Sequence, residues 1–144
     1  MTGTTFSGPI KSGTVRENTG KNTGFATLVQ SVPYIQTAAT AASTAIIIPS
    51  GSQILDIQLT ITTACDGATQ NLSVGTSVTS TELFTALALG TAANTIFFGS
   101  AGTITDADVW ENVGTSDVTI YVLTSAGTAG RGTITVHYAQ GTDL

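Results

Sequence analysis

The chain carries one histidine, one cysteine and one tryptophan, so most catalytic constellations fail for want of members. His137 sits in a threonine-rich alternating stretch, Thr133 to Tyr138. A general base needs a nucleophile on one side and an orienting carboxylate on the other, and its sequence neighbours supply neither. The imidazole is therefore expected to be a packed or interface side chain. Cys65 has no second cysteine, which excludes an intrachain disulfide and any zinc-ligand spacing; it reads as a small buried filler ahead of an Asp66-Gly67 turn. Asp106, Asp108 and Glu111 crowd three carboxylates together. Calcium asks for six to eight oxygens, and a solvated acidic loop accounts for the cluster as well. A depolymerase would need paired carboxylates about 5 to 9.5 Å apart in a cleft, and only this cluster offers them.

The remaining motifs are weaker still. Gly127-Thr128-Ala129-Gly130-Arg131-Gly132 has the glycine density of a phosphate loop without the following Lys-Ser/Thr or a helix, and a chain reversal explains it. Asn71-Leu72-Ser73 matches a glycosylation acceptor, which has meaning only in a secreted protein. Trp110 would suit a sugar-stacking platform, but core or interface packing explains it more simply. No enzyme, cofactor or metal site follows from these residues.

The elements that carry them read as strands. Asp117 to Thr124 and Gly132 to Ala139 put Val118, Ile120, Val122, Ile134, Val136 and Tyr138 on one face, with Thr119, Tyr121, Leu123, Thr133, Thr135 and His137 on the other. The glycine-bearing Ser125 to Arg131 between them predicts a β-hairpin. Gln53 to Ala64 alternates in the same way, with Leu55, Ile57, Leu59 and Ile61 expected inward. Further strands are expected at Gly24 to Gln30, Tyr34 to Ala38 (split from the first by Ser31-Val32-Pro33), Thr44 to Ile48, Asn71 to Gly75, Thr95 to Phe98 and Val109 to Val113. Thr79-Ser80-Thr81-Glu82 fits a capping box and predicts a short helix through Leu89, stopped by Gly90. Many short strands about ten residues apart with one short helical insertion predict an all-β, antiparallel β-sandwich or jelly roll.

Composition bounds the rest. At 144 residues the chain is long enough for one self-sufficient core. Charged residues make up 9% of it, against about 25% in an ordinary soluble domain. No stretch approaches the roughly 18 apolar residues that span a bilayer, so no membrane span is expected, and the N-terminus lacks the pattern of a signal peptide. So little surface charge opposes association only weakly, and self-association is expected. The charge is also unevenly spread. Residues 1–24 hold Lys11, Arg16 and Lys21 against Glu17, a balance of +2, and the rest carries −7 with Arg131 as its lone cation. A weakly basic arm, poor in apolar residues and without periodicity, thus precedes an acidic body at 25–144. The body has the wrong sign for nucleic acid and the arm too few cations to neutralise several phosphates.

Four segments carry a resemblance. Phe6-Ser7-Gly8-Pro9-Ile10-Lys11-Ser12-Gly13-Thr14 leads the arm; Ile48-Pro49-Ser50-Gly51-Ser52-Gln53-Ile54 precedes the long alternating strand; Leu72-Ser73-Val74-Gly75-Thr76 follows; and Thr128 to Tyr138 (T-A-G-R-G-T-I-T-V-H-Y) closes the chain. Together they resemble small virion structural proteins of tailed bacteriophages, and within that group are most similar to capsid decoration, or cement, proteins. The resemblance covers most of the chain, the arm and the closing segment being its most specific parts. It implies a β-sandwich, commonly a homotrimer, on the outer capsid surface of a virion made in the host cytoplasm. Its partners would be the major capsid protein and further copies of itself, with no catalytic residues and no cofactor. Partner-binding contacts are expected from Phe6, Pro9, Ile10, Lys11, Val15 and Arg16 of the arm. A tail or fibre adsorption module and a head-to-tail joining protein share the same sequence idiom and stand as alternatives.

Overall fold

In the computed structural model the described residues are 25–36, 40–66, 70–91, 93–125 and 127–141. The arm, residues 1–24 with Phe6, Pro9, Ile10, Lys11, Val15 and Arg16, lies outside them. Among the described residues nine strands form two antiparallel sheets. The strands are β1 (Phe25–Ile35), β2 (Ala42–Ile48), β3 (Gln53–Thr63), β4 (Asn71–Gly75), β5 (Phe84–Ala88), β6 (Thr95–Phe98), β7 (Thr103–Ile104), β8 (Val118–Thr124) and β9 (Arg131–Gly141). One sheet runs β1-β9-β3-β6 and the other β2-β8-β4-β5-β7. Ile57, Leu59, Ile61, Ile134 and Val136 of the first meet Ile46, Ile48, Leu72, Phe84, Leu87 and Ile120 of the second in one buried core. This is the expected all-β sandwich.

Several local expectations change. The closing strands both form, with the inward and outward residues that their alternation requires, but they are not a hairpin: β8 and β9 belong to different sheets. Ile120 and Val136 therefore share the core from opposite walls. Period two fixes which face a strand buries and leaves its neighbour open.

The expected helix over Thr79 to Leu89 is strand β5. Phe84 and Leu87 are both buried three residues apart because β5 bulges between them, with Leu72 opposite Leu87, Val74 opposite Phe84, and Ala86 in the left-handed region at φ 57. A bulge and a helix turn leave the same spacing in sequence. A second bulge, between Ile54 and Asp56 of β3, buries Ile54 and turns Leu55 outward, against the expectation for Leu55. The two strands expected on either side of Pro33 are one. Proline is tolerated because β1 is a sheet edge, where a residue facing away from the ladder needs no N–H.

The short helix is elsewhere, in place of the strand expected at Val109 to Val113. Asp106 caps Ala107–Glu111 (α1) by accepting from the Asp108 amide at 3.1 Å. Trp110 of that turn donates its indole N–H to the Leu83 carbonyl at 3.0 Å and packs on the core.

The capping-box residues organise a loop rather than a helix. The Glu82 carboxylate accepts from the amides of Thr76 at 3.0 Å and Thr81 at 3.1 Å, from Thr79 Oγ1 at 2.7 Å and from Ser77 Oγ. Desolvation pushes its pKa up, but the bonds from Ser77, Thr79 and the backbone outweigh it and lower the value to about 2 from an ordinary 4.5. A depressed carboxylate pKa stabilises the fold above the unfolded value, and that contribution disappears as pH falls from about 4.5 through about 2.

Two predictions follow from these contacts. Glu82→Gln should lower the thermal midpoint at pH 7 by a few degrees, consistent with about 1 kcal/mol for a solvent-screened group, and the gap from wild type should close as pH approaches 2. Gly132 packs so tightly on the Thr60 carbonyl of β3 that an added Cβ would strike backbone. Gly132→Ala should therefore cost about 2 kcal/mol or more in a denaturant titration, while Thr133→Ala, on the outer face, stays within about 1 kcal/mol.

Candidate interaction surface

The residues whose types could do chemistry are dispersed. His137 faces outward from the middle of its sheet, in register with Val29 on one side and Asp56 on the other. The Asp56 carboxylate accepts from the Gln58 amide at 2.9 Å. The nearest hydroxyls in the next row, Ser31 and Thr135, bond each other at 2.9 Å. Asp106 is taken up as a helix cap, and no group of three or more His, Cys, Asp or Glu side chains that could hold a metal is found among the described residues. Asn71 and Ser73 lie with Leu123, Thr124 and Ser125 around a shallow depression on the outer face of the second sheet.

Cys65 is buried at one end of the sandwich beside the Tyr34 hydroxyl, which makes no well-formed hydrogen bond. Burial pushes the Cys65 thiol up and keeps both it and the phenol neutral. Next to them the glycines of the expected turn do structural work. Asp66 Oδ1 accepts from the amides of Thr128 at 2.8 Å and Ala129 at 3.1 Å, which hold its carboxyl below the usual range. No phosphate cradle remains, because these amides already point at a carboxylate of the chain itself.

The surfaces suited to binding are the outer faces and edges of the sheets. On the first sheet β1 contributes Thr27, Val29, Ser31, Pro33 and Ile35, the middle strands contribute Thr60, Thr133 and Thr135, and β6 contributes Ile96 and Phe98. Val29, Ile35 and Ile96 are each more than half exposed. The outer face of the second sheet, including Ile47, Thr119, Tyr121, Leu123 and Ser73, holds no charged residue. Such faces are low in charge and rich in threonine, with apolar side chains at their margins. Sequence alternation located most of them in advance; the four edge strands could not be known without the strand order.

No protein-family model and no curated protein matches the sequence. Among solved structures the chain is similar to one in the cyanophage Pam1 capsid asymmetric unit, with a TM-score of 0.55 and 19% identity over 94% of this chain and 96% of that one. At that identity the likeness is one of fold, and it runs end to end between two chains of about the same length.

Proposed function

We propose that the chain is a virion structural protein of a tailed phage: a capsid decoration, or cement, protein that binds the outer surface of the expanded head and stabilises the major capsid protein lattice. The observation that carries this reading is the full-length fold likeness to a chain of a phage capsid asymmetric unit. The strand order adds support. With the two-residue β7 set aside, β1-β9-β3-β6 over β2-β8-β4-β5 is the interleaving of two Greek keys, which favours the jelly-roll form of the sandwich. The body offers charge-poor faces on two antiparallel sheets, a surface suited to the binding role this reading assigns it.

The mechanism is linkage. A ligand that binds the expanded lattice and not its precursor stabilises the expanded state in proportion to its occupancy. A homotrimer reaching several capsid subunits gains avidity, since each further contact forms at high effective concentration. In this reading residues 1–24 form the attachment arm, with Phe6, Pro9, Ile10 and Val15 in apolar pockets and Lys11 and Arg16 beside them. The adsorption-module alternative has less support: Tyr34 and Tyr138 are buried and Trp110 is committed to Leu83, which leaves Tyr121 on the outer face of the second sheet as the one tyrosine open to a sugar.

The direct test is the position of this chain in a virion reconstruction. Density repeated over the outer head surface is the expected outcome. Density confined to the tail, or about a dozen copies at the portal vertex, would transfer the protein to one of the alternatives. A binding assay tests the arm. Removing residues 1–24 should leave the thermal midpoint nearly unchanged and abolish binding to expanded heads. Burying one Phe or Ile side chain is worth about 1.5 to 3 kcal/mol, whereas an exposed ion pair is worth about 0 to 1 and is screened by salt. Phe6→Ala and Ile10→Ala should therefore weaken binding more than Lys11→Ala, and occupancy should survive about 0.5 M salt.

A further inference from the structure

Sheet edges are the places where a β-protein must either close itself or meet another strand. Three of the four here are blunted. β6 spans four residues and β7 two. On β2 the exposed peptide of Ile47 is captured by the Gln30 side chain, whose Nε2 donates to the Ile47 carbonyl at 2.6 Å while its Oε1 accepts from the Ile47 amide at 3.1 Å. β1 differs: it is 11 residues long, pairs among the described residues only with β9, and carries no charged residue.

The direction of its peptides is fixed twice over. One step beyond the pair Ile35 and Arg131, the Gln36 amide donates to the Gly130 carbonyl at 2.9 Å, so even-numbered peptides of this strand face β9. Pro33, which has no N–H, occupies an odd position in an unbroken register. The N–H and C=O groups of Phe25, Thr27, Val29 and Ser31 consequently point away from the sheet, and Pro33 ends the run of open donors.

We propose that this edge pairs with the same edge of a second copy, antiparallel about a two-fold axis, with Phe25 opposite Ser31 and Thr27 opposite Val29. In that register every open N–H meets an open C=O, and Pro33 of each copy falls just outside the ladder. Shifting the axis along the strand to set Pro33 opposite Phe25 gains no bond and leaves the Phe25 carbonyl of each copy facing a proline that has no N–H to donate. A longer foreign strand laid along β1 would meet Pro33 as well, whereas the second copy brings an open stretch of matching length. Charge agrees with this choice. Two neutral edges do not repel, and the basic arm finds no counter-charge on β1. Val29, 54% exposed, would pack beside Thr27 of the second copy on the joined outer face. The contact is isologous, so in a trimer, whose own contacts run head to tail, it joins one trimer to the next. It does not depend on the capsid reading and is tested without a capsid.

The experiment uses the purified full-length chain, with light scattering over a concentration series and residue-resolved amide exchange. Mass should rise with concentration, and the amides of Thr27, Val29 and Ser31 should become protected as it does, while those of Leu28 and Gln30 are protected throughout. Val29→Pro removes one outward N–H and no bond to β9, as Pro33 already does in the same strand. Val29→Lys places charge against charge across the axis. Both should weaken association by about tenfold or more with the dilute-solution thermal midpoint within a few degrees of wild type. Undiminished association in both variants would overturn the proposal. So would a monomer whose Thr27, Val29 and Ser31 amides are protected at every concentration, which would assign the edge to the chain's own arm, or protection gained only on adding heads, which would assign it to a capsid strand.

Discussion

The Gln36 side chain lies 2% exposed at the end of the sandwich where three links cross between the sheets. Its Oε1 accepts from the amides of Gly130 at 2.9 Å and Asp66 at 3.2 Å, and its Nε2 donates to Gln70 Oε1 at 3.0 Å. One amide thus ties the end of β1 to the β3–β4 link and the β8–β9 link. This matters because only β4 and β5 are consecutive strands paired in one sheet; every other link joins strands that are not neighbours. Such a topology gains little from local turns, and its crossings must be held by specific polar contacts. Losing the Gln36 amide would leave the buried Gly130 N–H without a partner, at a cost of about 1–3 kcal/mol. Gly130 itself is required there, since a Cβ would press on Cys65 Sγ and Gln36 Oε1.

Pinning the crossings with buried amides and a few carboxylates lets the outer faces stay nearly free of charge. Asp66 and Glu82 spend their oxygens on loop amides and hydroxyls, and Asp106 on a helix cap. The carboxylates that remain exposed, including Asp108, Glu111 and Asp117, sit on or beside α1 and its following loop. The outer face of the second sheet is left to uncharged side chains, while that of the first carries Asp56, Arg131 and His137 among its threonines and marginal apolar side chains. Surfaces of that kind associate through shape and backbone pairing with little electrostatic selectivity, which is what the proposed role would require of them.

Much of this was legible from the residues. Alternation in Gln53 to Ala64 and Thr133 to Tyr138 marked strands and their buried faces, and Asn71 to Gly75 and Thr95 to Phe98 appear with the expected bounds. Two of the differences, the outward Leu55 and the strand in place of a helix, share one cause. Bulges at Leu55 and Ala86 insert a residue, so that buried neighbours fall three apart, and in Leu83 to Leu89 that spacing imitates a helix. A capping box would join Thr79 and Glu82 through each other's backbone amides; here the Thr79 hydroxyl donates directly to the Glu82 carboxylate and the Thr79 amide to Ser77 Oγ, which closes a loop.

What the sequence by itself determined is the class: an all-β body built on period-two strands and poor in charge. Those properties are local, set by side-chain alternation and by residue types that are present or missing. The tertiary structure alone decided that β8 and β9 part into different sheets, that Gln36, Asp66 and Gly130 meet, and that β1, with Pro33 in it, is an edge strand among the described residues. Pairing is a contest among strands of similar pattern. It is resolved by which arrangement fills one core and satisfies every buried amide at once, and no short stretch of sequence contains that comparison.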